Sequence, residues 1–375
     1  MTELSICIPV FRQSAQAIDS VTQMLLNERA GFEILVADFS GDADQALARR
    51  AADRADPRLR VITPEGGAGS ESACWNQMIV QAKGEWITII GESDYADPEI
   101  CELIRATLSR VPDADALSWG RAEFVPPAAR EPLETARLPA GSKLLLPEQA
   151  EMMRRLFYWE GASDRPDCFF SAWHGAVRRD LLDKISEAFS GVYFEQPSPQ
   201  IDNLCKVVLL AKRMVYWERP LSVQCTLPVS ATKRHETGET AVAEGFPFSA
   251  DTGVAAPIAL QIEVFKKRYD IVLDGWEDNF IAACANDCEK AASGEEFHAR
   301  KAAYAQAITS WRGKRALAGF KPEFRRKPKL PRFRGVKDQV LHFDMSMDAT
   351  SDAAGFYRLI NAMTFPVNLL DDKLA

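Results

Sequence analysis

Residues 69–99 read GSESACWNQMIVQAKGEWITIIGESDYADPE, and this stretch decides the fold. Glu71 to Lys83 has helical spacing. Glu85 to Ile90 (EWITII) is a short apolar run of the kind that forms a buried strand. The run ends on Gly91-Glu92-Ser93-Asp94, so two carboxylates follow directly on the carboxyl end of a strand. The same alternation extends upstream. Leu4 to Val10 (LSICIPV) and Phe32 to Asp38 (FEILVAD) read as strands, and the second ends on a carboxylate. Arg58 to Ile62 is a third. Helical patterns fill the intervals at Ala15 to Glu28, with Ile18, Val21, Leu25 and Leu26 in one stripe, and at Ala43 to Arg54. Alternation of this kind predicts an α/β fold, a doubly wound and mostly parallel sheet that binds ligands at the carboxyl ends of its strands.

Further along, the pattern loosens. Residues 124–148 are rich in Pro, Arg and Ala and read as an irregular connection. Helices are expected over Arg179 to Phe189 and Asp202 to Ala211, with a strand at MVYW before Pro220. Beyond about Gly238 long helical patterns take over, notably Ala256 to Ala292 and Glu295 to Trp311, with a final helix near Ala353 to Met363.

Composition bounds the function classes. The chain has 375 residues, 47% of them hydrophobic, which excludes wholesale disorder. No apolar run approaches the roughly 18–20 residues that cross a bilayer. The start, MTELSICIPV, has neither a basic leader nor a long apolar stretch, so no signal peptide is expected. Forty-five Lys and Arg face 53 Asp and Glu, for a net charge of −8. The charge is uneven. Residues 311–337 hold 11 Lys or Arg and one acid, Glu323, a local +10 that leaves −18 for the remainder. The eight cysteines show no paired framework, and Cys284 with Cys288 at i, i+4 finds no C-x-x-C to suggest zinc, so reduced core thiols are expected.

The segments LSICIPVF, FEILVADFSGD, DPRLRVI and GSESACWNQMIVQAKGEWITIIGESDYADPE, in that order and spacing, resemble the family 2 glycosyltransferases. The resemblance is closest over Leu4 to Pro98 and continues loosely through WHGAVRRDLL and SPQIDNLCKVVLLAKRMVYWERPLSV to about Ser230. It implies the GT-A fold, a Rossmann-like doubly wound sheet, here with a C-terminal helical extension. The expected organisation is a transferase domain over 1–235, with a nucleotide-sugar half at 1–120 and an acceptor half at 121–235. A mainly helical region over 236–375 carries the basic segment 311–337.

The resemblance also implies roles. Pro9, Val10 and Arg12 would line the base pocket, and Asp38 would contact base or ribose. Asn76 would face the nucleotide. Glu92, Ser93 and Asp94 stand where the family carries its D-x-D motif, so a divalent ion, Mn or Mg, is expected on Asp94 and Glu92, with His174 a further candidate donor. Asp202 would be the general base of an inverting, single in-line displacement. This chain departs from the pattern at Ala37, Gly67 and Trp75, and its motif reads G-E-S-D, which offers a metal a poorer set of oxygens than paired aspartates.

Each position also has a plainer reading. Asp38 can close a strand, Asp94 can cap a helix starting near Pro98, and Asp202 can cap its own helix. His174, Trp75 and Trp173 can be packing residues. Gly67-Ala68-Gly69-Ser70 lacks the third glycine of a dinucleotide loop. For the basic segment, a solvated surface competes with an anionic membrane surface; nucleic acid has no supporting module.

The expected activity is transfer of a sugar, of the hexosyltransferase type, from a nucleotide diphosphate to a glycan or lipid-linked glycan in bacterial surface polysaccharide synthesis. The location expected is cytoplasmic, peripheral at the inner membrane face, with a homo-oligomer through the C-terminal helices. A sugar-nucleotide or glycan-binding protein on a decayed scaffold is the alternative. A nucleotidylyltransferase is disfavoured, because Phe11-Arg12-Gln13-Ser14 is not the Gly-rich loop it needs.

Overall fold

The computed structural model describes residues 2–11, 15–40, 49, 52–63, 70–127, 135–139, 141, 143–171, 173–226, 245–324, 333–337, 340–345 and 350–364. The first half follows the strand–helix alternation: β1 (Leu4–Val10), α1 (Ala15–Leu25), β2 (Phe32–Asp38), β3 (Leu59–Ile62), α2 (Glu71–Gln81), β4 (Trp86–Ile89), β5 (Tyr95–Ala96), α3 (Ile100–Arg110) and β6 (Ala116–Phe124). The expected helix over Ala43 to Arg54 falls mostly outside the described residues. Then come β7 (Thr135–Pro139), β8 (Leu144–Leu145), α4 (Gln149–Phe157), β9 (Gly175–Arg178), α5 (Arg179–Ala188), α6 (Pro199–Leu210) and β10 (Met214–Cys225). The C-terminal part holds α7 (Ala255–Arg268), α8 (Glu277–Glu289), α9 (Gly294–Arg312), a 3-10 turn (Lys314–Gly319), β11 (Gly335–Lys337), β12 (Val340–Asp344) and α10 (Ala353–Met363).

Among the described residues the main sheet has nine strands, in the order β3-β2-β1-β4-β9-β6-β10-β5, with β8 paired to β10. Strands β3, β2, β1 and β4 are parallel, as are β6 and β10; β9 lies antiparallel between the two groups. Alternate residues of each strand face opposite layers. Cys7, Leu35 and Ile87 join one buried cluster, Ile6, Ile34 and Trp86 the other.

Several expectations are corrected. Residues 124–148 contain β7 and β8 rather than only irregular chain. β10 continues through Pro220 to Cys225 because the register shifts there, and a proline without an N–H is accommodated at such a bulge. Opposite it, Gly120 leaves room for the backbone: an added Cβ would lie 2.2 Å from the Glu218 carbonyl oxygen. The expected helix over Ala256 to Ala292 is two helices, α7 and α8. The break holds Asp270 and Gly275 in left-handed conformation at φ +52° and +88°, which helical periodicity does not register.

The mainly helical C-terminal region also carries two strands among its described residues, and its helices pack into both core layers. β12 pairs with β7 to make a second sheet with β11. Phe265, Phe280 and Ile308 of α7–α9 share the cluster of Cys7 and Leu35. Phe356, Tyr357 and Ile360 of α10 share the opposite cluster with Ile6. The expected division at residue 235 lies outside the described residues. All eight cysteines are free, and seven are buried in these layers.

Candidate active site at the carboxyl edge of the sheet

β1, β2 and β4 end at one edge. Register aligns Val10 with Asp38, and the Phe39 N–H donates to the Val10 carbonyl. Phe11 stacks on Phe39 with centroids 5.6 Å apart. Asp38 Oδ1 accepts from the Ser40 N–H at 3.0 Å and its hydroxyl at 2.6 Å, a local turn that fixes the carboxylate at the strand end. From the end of β4, Glu92 Oε2 accepts the Phe11 N–H at 3.1 Å, tying the motif to the loop after β1. Pro9 and Val10 are buried within β1; Arg12 lies outside the described residues.

Asp94 turns inward and is 5% exposed. Oδ2 accepts from the Gly91 N–H at 2.7 Å and the Trp173 indole at 3.3 Å, and lies 3.0 Å from His174 Nε2. Oδ1 accepts the Cys225 N–H at 2.8 Å. The carboxylate folds back over Gly91, where an added Cβ would come within 2.8 Å of it. Burial pushes the Asp94 carboxyl up, but the bonds from His174 and the two N–H groups outweigh this and hold it below the usual carboxylate range. One side chain thus joins the ends of β4 and β10 to the start of β9. His174, at φ +59° and 2% exposed, also donates its backbone N–H to Ile89, while its Nδ1 is buried without a partner among the described residues.

Asn76 is a brace. Its Oδ1 accepts the N–H groups of Tyr193 (2.8 Å) and Phe194 (3.2 Å), and its Nδ2 donates to Phe194 O at 2.8 Å. Trp75 packs against Trp173 at 4.6 Å and edge-on to Phe194 at 5.1 Å, so an aromatic wall runs from Asp94 to the loop before α6. Asp202 holds that loop from the other side. Its Oδ2 accepts the Glu195 N–H at 2.9 Å and pairs with Lys206 Nζ at 2.6 Å. Asp202 is 5% exposed and Lys206 is fully buried, with its Nζ donating to Val192 O and lying 5.1 Å from the Phe189 ring centroid. Burial pushes the Asp202 carboxyl up and the Lys206 ammonium down.

The structure therefore brings Asp38, Glu92, Ser93 and Asp94 to one edge and links Asn76 and Asp202 through the 192–195 loop. Lys206 and Glu195 lie outside the motifs but share this network with Asp202. The i, i+4 spacing of Asp202 and Lys206 on a helix is a sequence signal for their pairing; nothing local signals Glu195. As these side chains stand, they do not make the divalent site that the resemblance implies. Both Asp94 oxygens are engaged by protein donors, Glu92 accepts from backbone, and among the described residues no group of three His, Cys, Asp or Glu side chains is arranged to hold an ion.

The mostly parallel nine-stranded sheet with its flanking helices matches the GT-A fold. Residues 5–185 match the family model described as glycosyl transferase family 2. Comparison with curated proteins returned no match. Among solved structures, the chain is similar to residues 1–349 of S. aureus TarS in complex with UDP-GlcNAc, with TM-score 0.51, 15% identity, and 84% of this chain and 83% of that chain covered. TarS 1–349 without the ligand gives TM-score 0.47 at 14% identity, covering 85% and 89%.

Proposed function

We propose that the chain is an inverting transferase that moves a sugar from a nucleoside diphosphate to an acceptor hydroxyl on a glycan or lipid-linked glycan, in the synthesis of a surface polysaccharide. The observation that carries this is the convergence of Asp38, Glu92 and the braced 192–195 loop on the carboxyl edge of a family 2 sheet. The donor-binding edge is the usual ligand site of such sheets.

Calorimetry with UDP-GlcNAc, UDP-glucose, GDP-mannose and dTDP-glucose, paired with a donor-hydrolysis assay, tests the reading. One donor is expected to bind and to be turned over. Binding without turnover favours the second reading, a sugar-nucleotide binding protein, which the inward commitment of Asp94 supports. The same commitment makes donor affinity independent of divalent ions: the Kd in EDTA should stay within about twofold of the Kd in Mn²⁺. A tenfold gain with Mn²⁺, about 1.4 kcal/mol, would show that these carboxylates rearrange to hold the ion.

Among the described residues no helix is long and apolar enough to cross a membrane. The basic strip supports peripheral contact instead. Lys314, Arg315 and Lys321 are exposed, and Phe333 and Val336 are 46% and 63% exposed beside Arg334 and Lys337. Vesicles containing anionic phosphatidylserine should retain the protein, and the K314Q/R315Q/K321Q variant should be released at lower salt. Equal retention of the two would remove the idea. Truncation is the poorer test, since it deletes α10, whose buried side chains contribute roughly 1.5–3 kcal/mol each to the core.

A further inference from the structure

We propose that Trp173 is the platform on which the acceptor sugar stacks, a specificity-determining residue for acceptors that present a pyranose ring. The proposal rests on the transferase reading above, with Asp202 as its general base, and names the surface that holds the sugar whose hydroxyl that base deprotonates.

Trp173 stands at the carboxyl edge of the sheet. It forms a bridge with Ile89, the last residue of β4, and its indole N–H donates to Asp94 Oδ2 at 3.3 Å. Its backbone N–H donates to Ser171 Oγ at 3.2 Å. The next residue, His174, has φ +59°; its Nε2 lies 3.0 Å from the same Asp94 oxygen, and its backbone N–H donates to the Ile89 carbonyl. Neighbouring side chains of an extended strand point to opposite faces. The left-handed turn at His174 allows both side chains to meet one carboxylate. Phe169, in the same segment, is also left-handed, at φ +65°. Residues other than glycine hold such conformations only where their surroundings over-determine them, and such places gather at ligand sites.

The Trp173 ring completes a wall between the two halves of the site. Trp75 lies 4.6 Å from Trp173 and 5.1 Å from Phe194, and Phe194 precedes Glu195, whose N–H donates to Asp202 Oδ2. Lys206 pairs with that same Oδ2. Asp202 Oδ1 is buried and has no partner among the described residues, so it is the oxygen left for a hydroxyl proton. The attacking hydroxyl must lie between this oxygen and a donor bound at the strand ends, and the wall runs between the two. Of its three rings, Trp75 and Phe194 are buried, at 0% and 2% exposure, and Trp173 is the one that solvent reaches.

Trp75 backs the Trp173 ring at an interplanar angle of 38°. An indole that is packed on one side, bonded through its N–H and open over part of its ring offers a rigid apolar surface with little left to order on binding. The C–H face of a pyranose fits such a surface, since it is flat and apolar with its hydroxyls at the rim; an acyclic polyol has no such face. A nucleobase would also stack, but Pro9, Val10 and Asp38, the groups that the resemblance gives to base and ribose, lie at the ends of β1 and β2 rather than β4.

The test uses the full chain and four probes: methyl β-D-glucoside, methyl β-D-galactoside, methyl α-D-mannoside and methyl N-acetyl-β-D-glucosaminide. Glycerol is the acyclic control, and each is titrated with and without UDP by saturation-transfer NMR. The wild type is expected to bind at least one glycoside, with transfer strongest on the ring C–H protons, and not glycerol. W173F and W173L both lose the indole bond to Asp94, so their melting temperatures should fall together; W173F alone keeps a ring. W173L should therefore weaken glycoside binding by about tenfold and W173F by about threefold or less, while donor Kd in both stays within about twofold. Equal glycoside affinity in W173F and W173L overturns the proposal, as does a wild type that binds no glycoside. A W173L loss of donor affinity equal to its loss of glycoside affinity gives the ring to the nucleotide and also overturns it. The transferase reading fails on a separate observation, the absence of turnover of every donor by the wild type. Ring-dependent glycoside binding in a protein without turnover supports the platform as a sugar site while removing the transfer.

Discussion

Replacing Asp94 with alanine is expected to lower stability by about 3–5 kcal/mol, the range for breaking a buried charged network by removing one partner. The Gly91 and Cys225 N–H groups, the Trp173 indole and His174 Nε2 would all lose their acceptor at once. Each buried polar group left unsatisfied costs about 1–3 kcal/mol, and partial relaxation keeps the sum below the simple total. Against a total stability of about 5–15 kcal/mol, this variant stands near unfolding at ordinary temperature. D94N keeps the shape and one oxygen but turns an N–H₂ towards N–H donors, so it should recover only part. Urea denaturation of the three proteins measures this, with an Asp94→Ala loss below about 1 kcal/mol removing the account. The pH dependence has a fixed sign. Because the folded-state carboxyl is held below its unfolded value, its contribution is present above about pH 4 and is lost as pH falls through the folded value. The variant should therefore lose less stability on acidification than the wild type.

A second large effect is expected at the Asp202–Lys206 pair. K206M leaves a 5% exposed carboxylate without its ammonium, which should cost about 3–5 kcal/mol. D202N/K206M removes both charges and keeps an oxygen for the Glu195 N–H, so it should recover at least half of that loss. Urea midpoints for the single and double variants form the cycle, and additive losses would show that the two groups do not couple. The pair is thus expected to be worth little against a neutral replacement. What it supplies is a defined backbone path for residues 192–195.

The separation between legible and hidden features follows from range. Strands β1, β2 and β4 and helices α9 and α10 were legible because each is a local pattern, period 2 or 3.6, whose apolar face must be buried wherever the chain goes. The last helix is found at Ala353–Met363, where the periodicity puts it. β7 was hidden because its partner, β12, lies about 200 residues away, and TARLP alone carries no alternation strong enough to announce a strand. The carboxylates at strand ends were legible as candidates from position alone. Their uses were not: whether Asp94 faces a ligand or the interior depends on His174, Trp173 and Cys225, from distant parts of the chain.

The doubly wound sheet, the acids at its carboxyl edge and the cationic segment 311–337 depend on composition and short-range periodicity, which the sequence carries by itself. Only the tertiary structure decided the antiparallel insertion of β9, the joining of the C-terminal helices to the core, and the division of carboxylates into those that hold the frame and those that solvent reaches. A side chain's chemistry is set by its desolvation and its partners, and both are fixed when remote segments pack together.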